Sequence, residues 1–318
     1  MQFTIVGAGA LGTILGAHLA EAGHEVRMVA RGARARALTA EGLRVTGLRE
    51  LTQPCSVVAA PERGRDEDVL VYAVKTYHMD DALAAARGLT PRAVFSLANG
   101  VQKNEQLISA FGAAHVLGCM ANFSGELLAD GRALFTRNVM LHLGGAARTR
   151  AIVTEIAAAI DAAGIRAQAV DDIETVEWSK FVGWVALFAL AVIARSTTGR
   201  ALDNPHFAAL GAAVVREAAA LAAARGIALV DQSPMPVASI ARADAAGAAE
   251  RVREVGRGLV RDAPDHRMSA LQDLEAGRRL EVHETLGYAV REAARLGVDA
   301  PTLAFCYAVG AGLDALTR

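Results

Sequence analysis

The sequence predicts an α/β chain in two parts, a doubly wound, mostly parallel sheet followed by an all-helical domain. Three observations carry this. A short apolar strand at residues 3–6 runs straight into Gly7-Ala8-Gly9-Ala10-Leu11-Gly12, with a helix-patterned stretch behind it. Apolar runs of strand length then alternate with helical or loop segments up to residue 170. From Asp171 onward Ala, Leu, Glu and Arg dominate with helical periodicity. A chain of 318 residues more naturally makes two domains than one. The boundary is expected near residue 168, giving domains 1–168 and 169–318.

Each glycine of the opening turn has a physical task. Gly7 permits a tight turn after the strand, Gly9 lets the backbone approach a pyrophosphate, and Gly12 lets the following helix pack close to the sheet. N–H groups at the helix start favour phosphate. Gly7, Ala8, Gly9, Ala10, Leu11 and Gly12 are therefore candidate cofactor contacts, and the first domain reads as a Rossmann domain. The second strand, residues 24–30, ends without the Asp or Glu that holds a ribose 2′-hydroxyl in NAD sites. Arg31 stands there instead, with Arg34 and Arg36 just beyond, and guanidinium groups suit a 2′-phosphate. The missing acid and the arginines together favour NADP(H).

Further strands are expected at 56–59, 69–74, 93–97 and 115–121, then a hairpin or pair of edge strands at 132–136 and 139–144. A helix over 151–163 and a strand at 166–170 complete the first domain. In the second, helices are expected over 173–194, 205–225, 237–260, 279–296 and 301–316, separated by Gly and Pro.

A net charge of −1 offers no field to attract nucleic acid or an anionic membrane. Cys55, Cys119 and Cys306 are scattered, which indicates thiols in a reducing compartment and neither a disulfide framework nor a zinc site. The first residues lack the pattern of a signal peptide, so a cytoplasmic location is expected. The apolar run 181–194 is shorter than the ~20 residues of a membrane span. Lys180 and Arg195 close its ends, and a buried helix is expected there. His283-Glu284 begins like a zinc-protease helix, but no histidine follows at the required spacing, and no metal site is expected.

Only three of the 33 Lys and Arg residues are lysines: Lys75, Lys103 and Lys180. A lysine can release a proton at workable pH and an arginine cannot. Lys75 and Asn99 each end a strand at the carboxyl edge where open α/β sheets bind ligands. Lys180 opens the apolar run, where burial lowers an amine's pKa toward the range of a general acid. For Lys75 and Lys180 a snorkelling or ion-paired lysine is the competing reading. Lys103, among polar neighbours, reads as plain surface.

These parts in this order resemble the ketopantoate reductases (2-dehydropantoate 2-reductases), NADPH-dependent enzymes of pantothenate synthesis, over essentially the whole chain. The residues that carry the resemblance are the glycine turn, Arg31, Val74-Lys75-Thr76, Leu97-Ala-Asn-Gly-Val101, Glu177-Trp-Ser-Lys180, and Met268-Ser-Ala-Leu-Gln-Asp273 followed by Glu281. The resemblance implies that Lys180 protonates a ketone oxygen as hydride arrives from the nicotinamide. It implies that Glu281 partners the lysine or the substrate hydroxyl, and that Ser269 contacts the substrate carboxylate or hydroxyl. It also implies that Lys75 and Asn99 lie beside the nicotinamide and its ribose, with Asn99 reaching the substrate, and that the substrate sits between the domains. On the residues alone, Ser269 reads as a helix cap and Glu281 as a surface carboxylate.

One departure stands out. In the family the catalytic lysine is followed, one and two helical turns on, by asparagines that hydrogen-bond the substrate; here Trp184 and Phe188 occupy those positions. Residues 180, 184 and 188 share a helix face. Either this row lines the pocket and favours a more apolar 2-oxo acid, or the aromatics are core. A non-catalytic NADP(H)-binding protein is the alternative of another class. The apolar last helix serves either as core or as the surface of a homodimer.

Overall fold

Five parallel strands build the first sheet, and the central ones are buried almost throughout, which is why their sequences are near-continuous apolar runs. In a computed structural model, which describes residues 1–61, 69–86 and 88–316, these strands are β1 (Gln2–Val6), β2 (Glu25–Val29), β5 (Ser56–Val58), β6 (Val69–Tyr72) and β7 (Ala93–Ser96). All pair in parallel, in the order β5-β2-β1-β6-β7. Helices α1 (Ala10–Glu21), α2 (Gly32–Glu41), α3 (Met79–Ala84) and α4 (Gln102–Phe111) make the crossovers.

A second sheet lies on the far side of α1. It contains β3 (Leu43–Gly47), β4 (Leu51–Gln53), β8 (Gly118–Leu127), β9 (Ala133–Gly144) and β10 (Ala167–Ala169), with α5 (Arg150–Ala162) before β10. Helix α1 packs on β2 of one sheet and on β3, β4, β8 and β9 of the other. That explains why Gly12 through Leu19 are buried on every side of the helix. Phe3, Ile5 and Met28 join Leu43, Val45, Phe135 and Leu141 in one core through it. Val6, Leu70 and Tyr72 pack with Met79, Leu83 and Leu107 on the opposite face of the first sheet.

Three expectations are corrected here. Strands β3 and β4 lie outside the expected elements, although Leu43-Arg44-Val45 alternates buried and half-buried side chains as a half-buried strand does. The stretches 132–136 and 139–144 form one strand, β9, whose hairpin partner is β8. Polar Arg137-Asn138 looks like a turn but is absorbed by register shifts in the β8–β9 ladder. The true turn is at 128–132, where Leu128 N donates to Arg132 O at 2.8 Å and Gly131 takes φ +82°.

The chain divides into units Met1–Ile173 and Glu174–Arg318. The division falls beyond residue 168, since β10 still pairs with β9. The second unit is helical among its described residues: α6 (Ile173–Ala194), α7 (Thr198–Asp203), α8 (Pro205–Ala224), α9 (Val237–Arg242), α10 (Ala245–Asp262), α11 (Ser269–Glu275), α12 (Leu286–Leu296) and α13 (Pro301–Leu316). The helix expected over 237–260 is broken in two, because the Asp244 carboxylate accepts from Gly247 N at 2.7 Å and caps α10. Residues 279–285 are not helical either. The Leu280 amide donates to Asp314 Oδ1 at 2.7 Å, and the Thr285 hydroxyl donates to the Glu281 carbonyl. Helix α6 has the bounds expected for it, and it and α8 are long and apolar enough to cross a membrane. Residues 177–179 and 181–192 of α6 are buried within the protein.

Burial in the first unit has a pH consequence. His18 is 1 % exposed, with Nδ1 on the Ile14 carbonyl at 2.8 Å, and burial holds its pKa below the usual histidine value; His142 is shifted the same way for the same reason. Above about pH 6.5 both folded and unfolded chains keep these rings neutral. Below it the unfolded chain takes up protons that the folded unit does not, so stability falls as pH drops. A melting series from about pH 7.5 to about pH 5 is expected to show this decline, and His18→Leu to make it shallower; an unchanged slope would rule His18 out as a contributor.

Candidate active site

Strand register brings four carboxyl ends level: Val6 pairs with Val29 and Tyr72, and Tyr72 with Ser96. Gly7 N donates to Val29 O (3.2 Å), Ala73 N to Val6 O (2.8 Å) and Leu97 N to Tyr72 O (2.8 Å), extending the ladder past the strands. Open parallel sheets bind ligands at this edge. On it lie the turn at residues 7–12, Arg31 after β2, Lys75 after β6 and Asn99 after β7.

The glycines of the turn differ in what confines them. Gly7 takes φ +109°, and a Cβ there would stand 2.8 Å from the Ala73 carbonyl. A Cβ on Gly12 would stand 2.1 Å from Gly7 O. Around Gly9, by contrast, nothing lies within 4 Å of where a Cβ would be. Two glycines thus let the chain fold tightly, and the third leaves one side of the backbone bare. Gly9 occupies the N-cap of α1 with no side chain capping it and no acid in the first turn. The N–H groups of Ala10, Leu11 and Gly12 belong to that first turn, where the helix dipole favours an anion. These features fit a dinucleotide pyrophosphate.

Arg31 is exposed at the N-cap of α2, with Nε on the Ala59 carbonyl at 3.0 Å, so its guanidinium is anchored where β2 ends. Arg36 is exposed as well. Arg34, expected to act with them on a phosphate, turns inward. Its Nε donates to Ala8 O (2.9 Å), Nη1 to Gly131 O (2.8 Å) and Nη2 to Thr13 Oγ1 (2.8 Å). Lys75 is half-buried, and its carbonyl accepts from His78 N at 2.9 Å. Asn99 is half-buried in the loop before α4.

Lys103 is the clearest correction to the sequence reading: it is 4 % exposed, not surface. Its Nζ donates to Ala98 O at 2.9 Å and Cys119 O at 2.5 Å. A buried ammonium needs such acceptors, and these two tie the Asn99 loop to β8.

In the second unit Lys180 is half-buried on α6, in a row with Trp184 and Phe188. The two rings are 7 % and 1 % exposed and pack on each other at 5.2 Å between centroids. The helix is held around the lysine. Ser179 Oγ accepts from Val230 N at 3.0 Å, Gln232 Nε2 donates to Val176 O at 2.9 Å, and Arg225 lies 5.2 Å from the Trp178 ring centroid. Phe181 meets Tyr288 of α12 edge-on at 6.0 Å. Glu281 is 6 % exposed in the non-helical segment leading into α12, so it is not the surface carboxylate its residue type suggests. Ser269 is exposed at the first position of α11, where Met268 holds the N-cap.

Two family models account for most of the chain. Residues 3–148 match "Ketopantoate reductase PanE/ApbA" and residues 172–313 match "Ketopantoate reductase PanE/ApbA C terminal". The chain belongs to the ketopantoate reductase family. Similar proteins agree with this membership. A 2-dehydropantoate 2-reductase from Archaeoglobus fulgidus is 31 % identical over 93 % of this chain and 92 % of its own length. One from Mesorhizobium japonicum is 28 % identical over 95 % of this chain and 94 % of its own. The crystal structure of a PanE/ApbA family ketopantoate reductase from Ralstonia eutropha JMP134 superimposes with a TM-score of 0.84 at 26 % identity, covering 100 % of this chain and 99 % of that one.

As a ketopantoate reductase family member the chain is an oxidoreductase with a Rossmann-type first unit. Three residues that organise the family fold here carried little sequence signal. Arg34 looked like one of several loop arginines. Lys103 was distinguished only by the scarcity of lysine. Asp314, 1 % exposed, sits in an apolar helix and fixes the backbone next to Glu281.

Proposed function

We propose that this protein reduces the ketone of 2-dehydropantoate to pantoate with NADPH, as a cytoplasmic enzyme of pantothenate biosynthesis. Kinship carries the substrate: the Archaeoglobus fulgidus relative of that name is similar over nearly the full length of both chains. When bound, NADPH supplies the hydride. The chain's own residues do the rest. The turn at 7–12 and the start of α1 hold the pyrophosphate, Arg31 holds the 2′-phosphate, and Lys75 and Asn99 orient the nicotinamide end. Lys180 gives its Nζ proton to the ketone oxygen as negative charge develops there, where a preorganised cation and donor are most effective. Among the lysines, Lys103 is committed to two carbonyls. Glu281 and Ser269 take the substrate's hydroxyl and carboxylate ends.

Turnover of 2-dehydropantoate, followed by loss of NADPH absorbance, tests the reading; a folded, NADPH-binding protein with no turnover would overturn the substrate. A second reading rests on Trp184 and Phe188, which put aromatic bulk in the Lys180 row. Sites built for hydrogen bonding discriminate strongly when partners are missing, so this row favours a more apolar 2-oxo acid, and a substrate panel separates the two. Tight NADPH binding with no activity on any 2-oxo acid would instead mark a binding protein.

Cofactor choice has its own test. Arg31→Ala is expected to weaken NADPH by about tenfold or more, roughly 1.4 kcal/mol, and to leave NADH almost unchanged. Equal losses would mean that Arg31 does not hold the 2′-phosphate.

A further inference from the structure

We infer that Arg34 is a positioning residue for the pyrophosphate turn and not a ligand of the 2′-phosphate; the inference rests on the nucleotide reading above. The argument starts from the Ala8–Gly9 peptide. In a trans peptide the C=O and N–H point in opposite directions. Arg34 Nε holds Ala8 O at 2.9 Å from the α2 side, and so turns the Gly9 N–H away from α2. Gly9 is also the residue with nothing within 4 Å of a Cβ position. One guanidinium thereby aims a donor from the barest point of the turn.

The remaining contacts show that the clamp is built and not incidental. Nη2 donates at 2.8 Å to Oγ1 of Thr13, a fully buried residue of α1 whose hydroxyl also lies 3.4 Å from Ala8 O. Nη1 donates at 2.8 Å to Gly131 O, at the tip of the β8–β9 hairpin. A Cβ on Gly131 would approach that Nη1 to 3.2 Å, so the hairpin backbone sits against the guanidinium. Turn, helix start and hairpin tip thus converge on one planar fork, whose geometry a lysine cannot reproduce. With its three nitrogens taken up inside the fold, Arg34 acts on the pyrophosphate through Ala8–Gly9, and recognition of the 2′-phosphate is left to Arg31.

The test separates the two ends of the cofactor. Fluorescence titrations of NADPH and NADH, and calorimetry with adenosine 2′-monophosphate, which carries the 2′-phosphate and no 5′-phosphate, are run on wild type, Arg34→Gln, Arg34→Lys and Thr13→Val. Arg34→Gln and Arg34→Lys are expected to weaken NADPH and NADH by the same factor, about tenfold, leaving their ratio and the affinity for adenosine 2′-monophosphate unchanged. Thr13→Val, which keeps the guanidinium but removes one of its acceptors, is expected to show the same pattern more weakly and decides the matter if the Arg34 variants fail to fold. A selective loss of NADPH and of adenosine 2′-monophosphate would overturn the inference, and so would unchanged binding of both dinucleotides. Wild-type protein that binds neither would instead overturn the nucleotide reading beneath it.

Discussion

Lys180→Ala is expected to lower kcat for ketone reduction by about 10²- to 10⁴-fold, the usual contribution of a positioned general acid, with the Kd for NADPH unchanged. The expectation follows from the residue's place on α6. It is half-buried on a helix whose following two turns are wholly apolar, in a chain where arginine is the ordinary cation. Lys180→Arg discriminates between proton donation and charge alone. A guanidinium keeps the positive charge but does not release a proton at working pH, so this variant should fall nearly as far as the alanine variant. Retained activity in Lys180→Arg would reduce the role to electrostatics. The pH–rate profile gives an independent reading, because the alkaline limb set by the donor amine should be present in wild type and absent in Lys180→Ala.

The parts of the fold legible in the sequence are those where local pattern and tertiary role agree. The strand–turn–helix at residues 2–21 is one, since the same glycines that mark a turn also satisfy the close approaches of Gly7 and Gly12. The uninterrupted apolar face of α6 is another. Legibility fails where a long-range partner decides the outcome. Residues 279–285 have helix-like composition, yet Asp314 captures the Leu280 amide from more than thirty positions away. Lys103 sits among Gln102, Asn104 and Glu105, and the carbonyls that accept from its buried Nζ, Ala98 and the distant Cys119, are not signalled by those neighbours. At the candidate site the same division holds. The position of Arg31 at the end of β2 is legible locally, whereas the inward turn of the neighbouring Arg34 depends on a hairpin tip 97 positions further on.

Gly12→Ala and Gly9→Ala should fail in opposite ways, although the two glycines belong to one turn. At Gly12 the added methyl meets Gly7 O at 2.1 Å and Ala73 Cβ at 3.0 Å. The first is backbone in a constrained turn and cannot swing aside, so the variant is expected to lose roughly 3 kcal/mol of stability, which for a unit of this size lowers Tm by about 10 °C. At Gly9 the backbone has φ −73° and ψ −168°, which alanine adopts without strain, and the methyl enters open space. That variant should melt within about 0.5 kcal/mol of wild type yet bind NADPH and NADH about a hundredfold more weakly, a loss of roughly 2.7 kcal/mol, because the methyl takes the place of the pyrophosphate. Normal NADPH binding by folded Gly9→Ala would place the nucleotide elsewhere. The double variant Gly9→Ala/Arg34→Gln carries the argument one step further. If Arg34 acts only by orienting the Gly9 N–H, blocking the approach at Gly9 leaves it nothing to orient. The two losses should then be strongly non-additive, and full additivity would separate Arg34 from the turn.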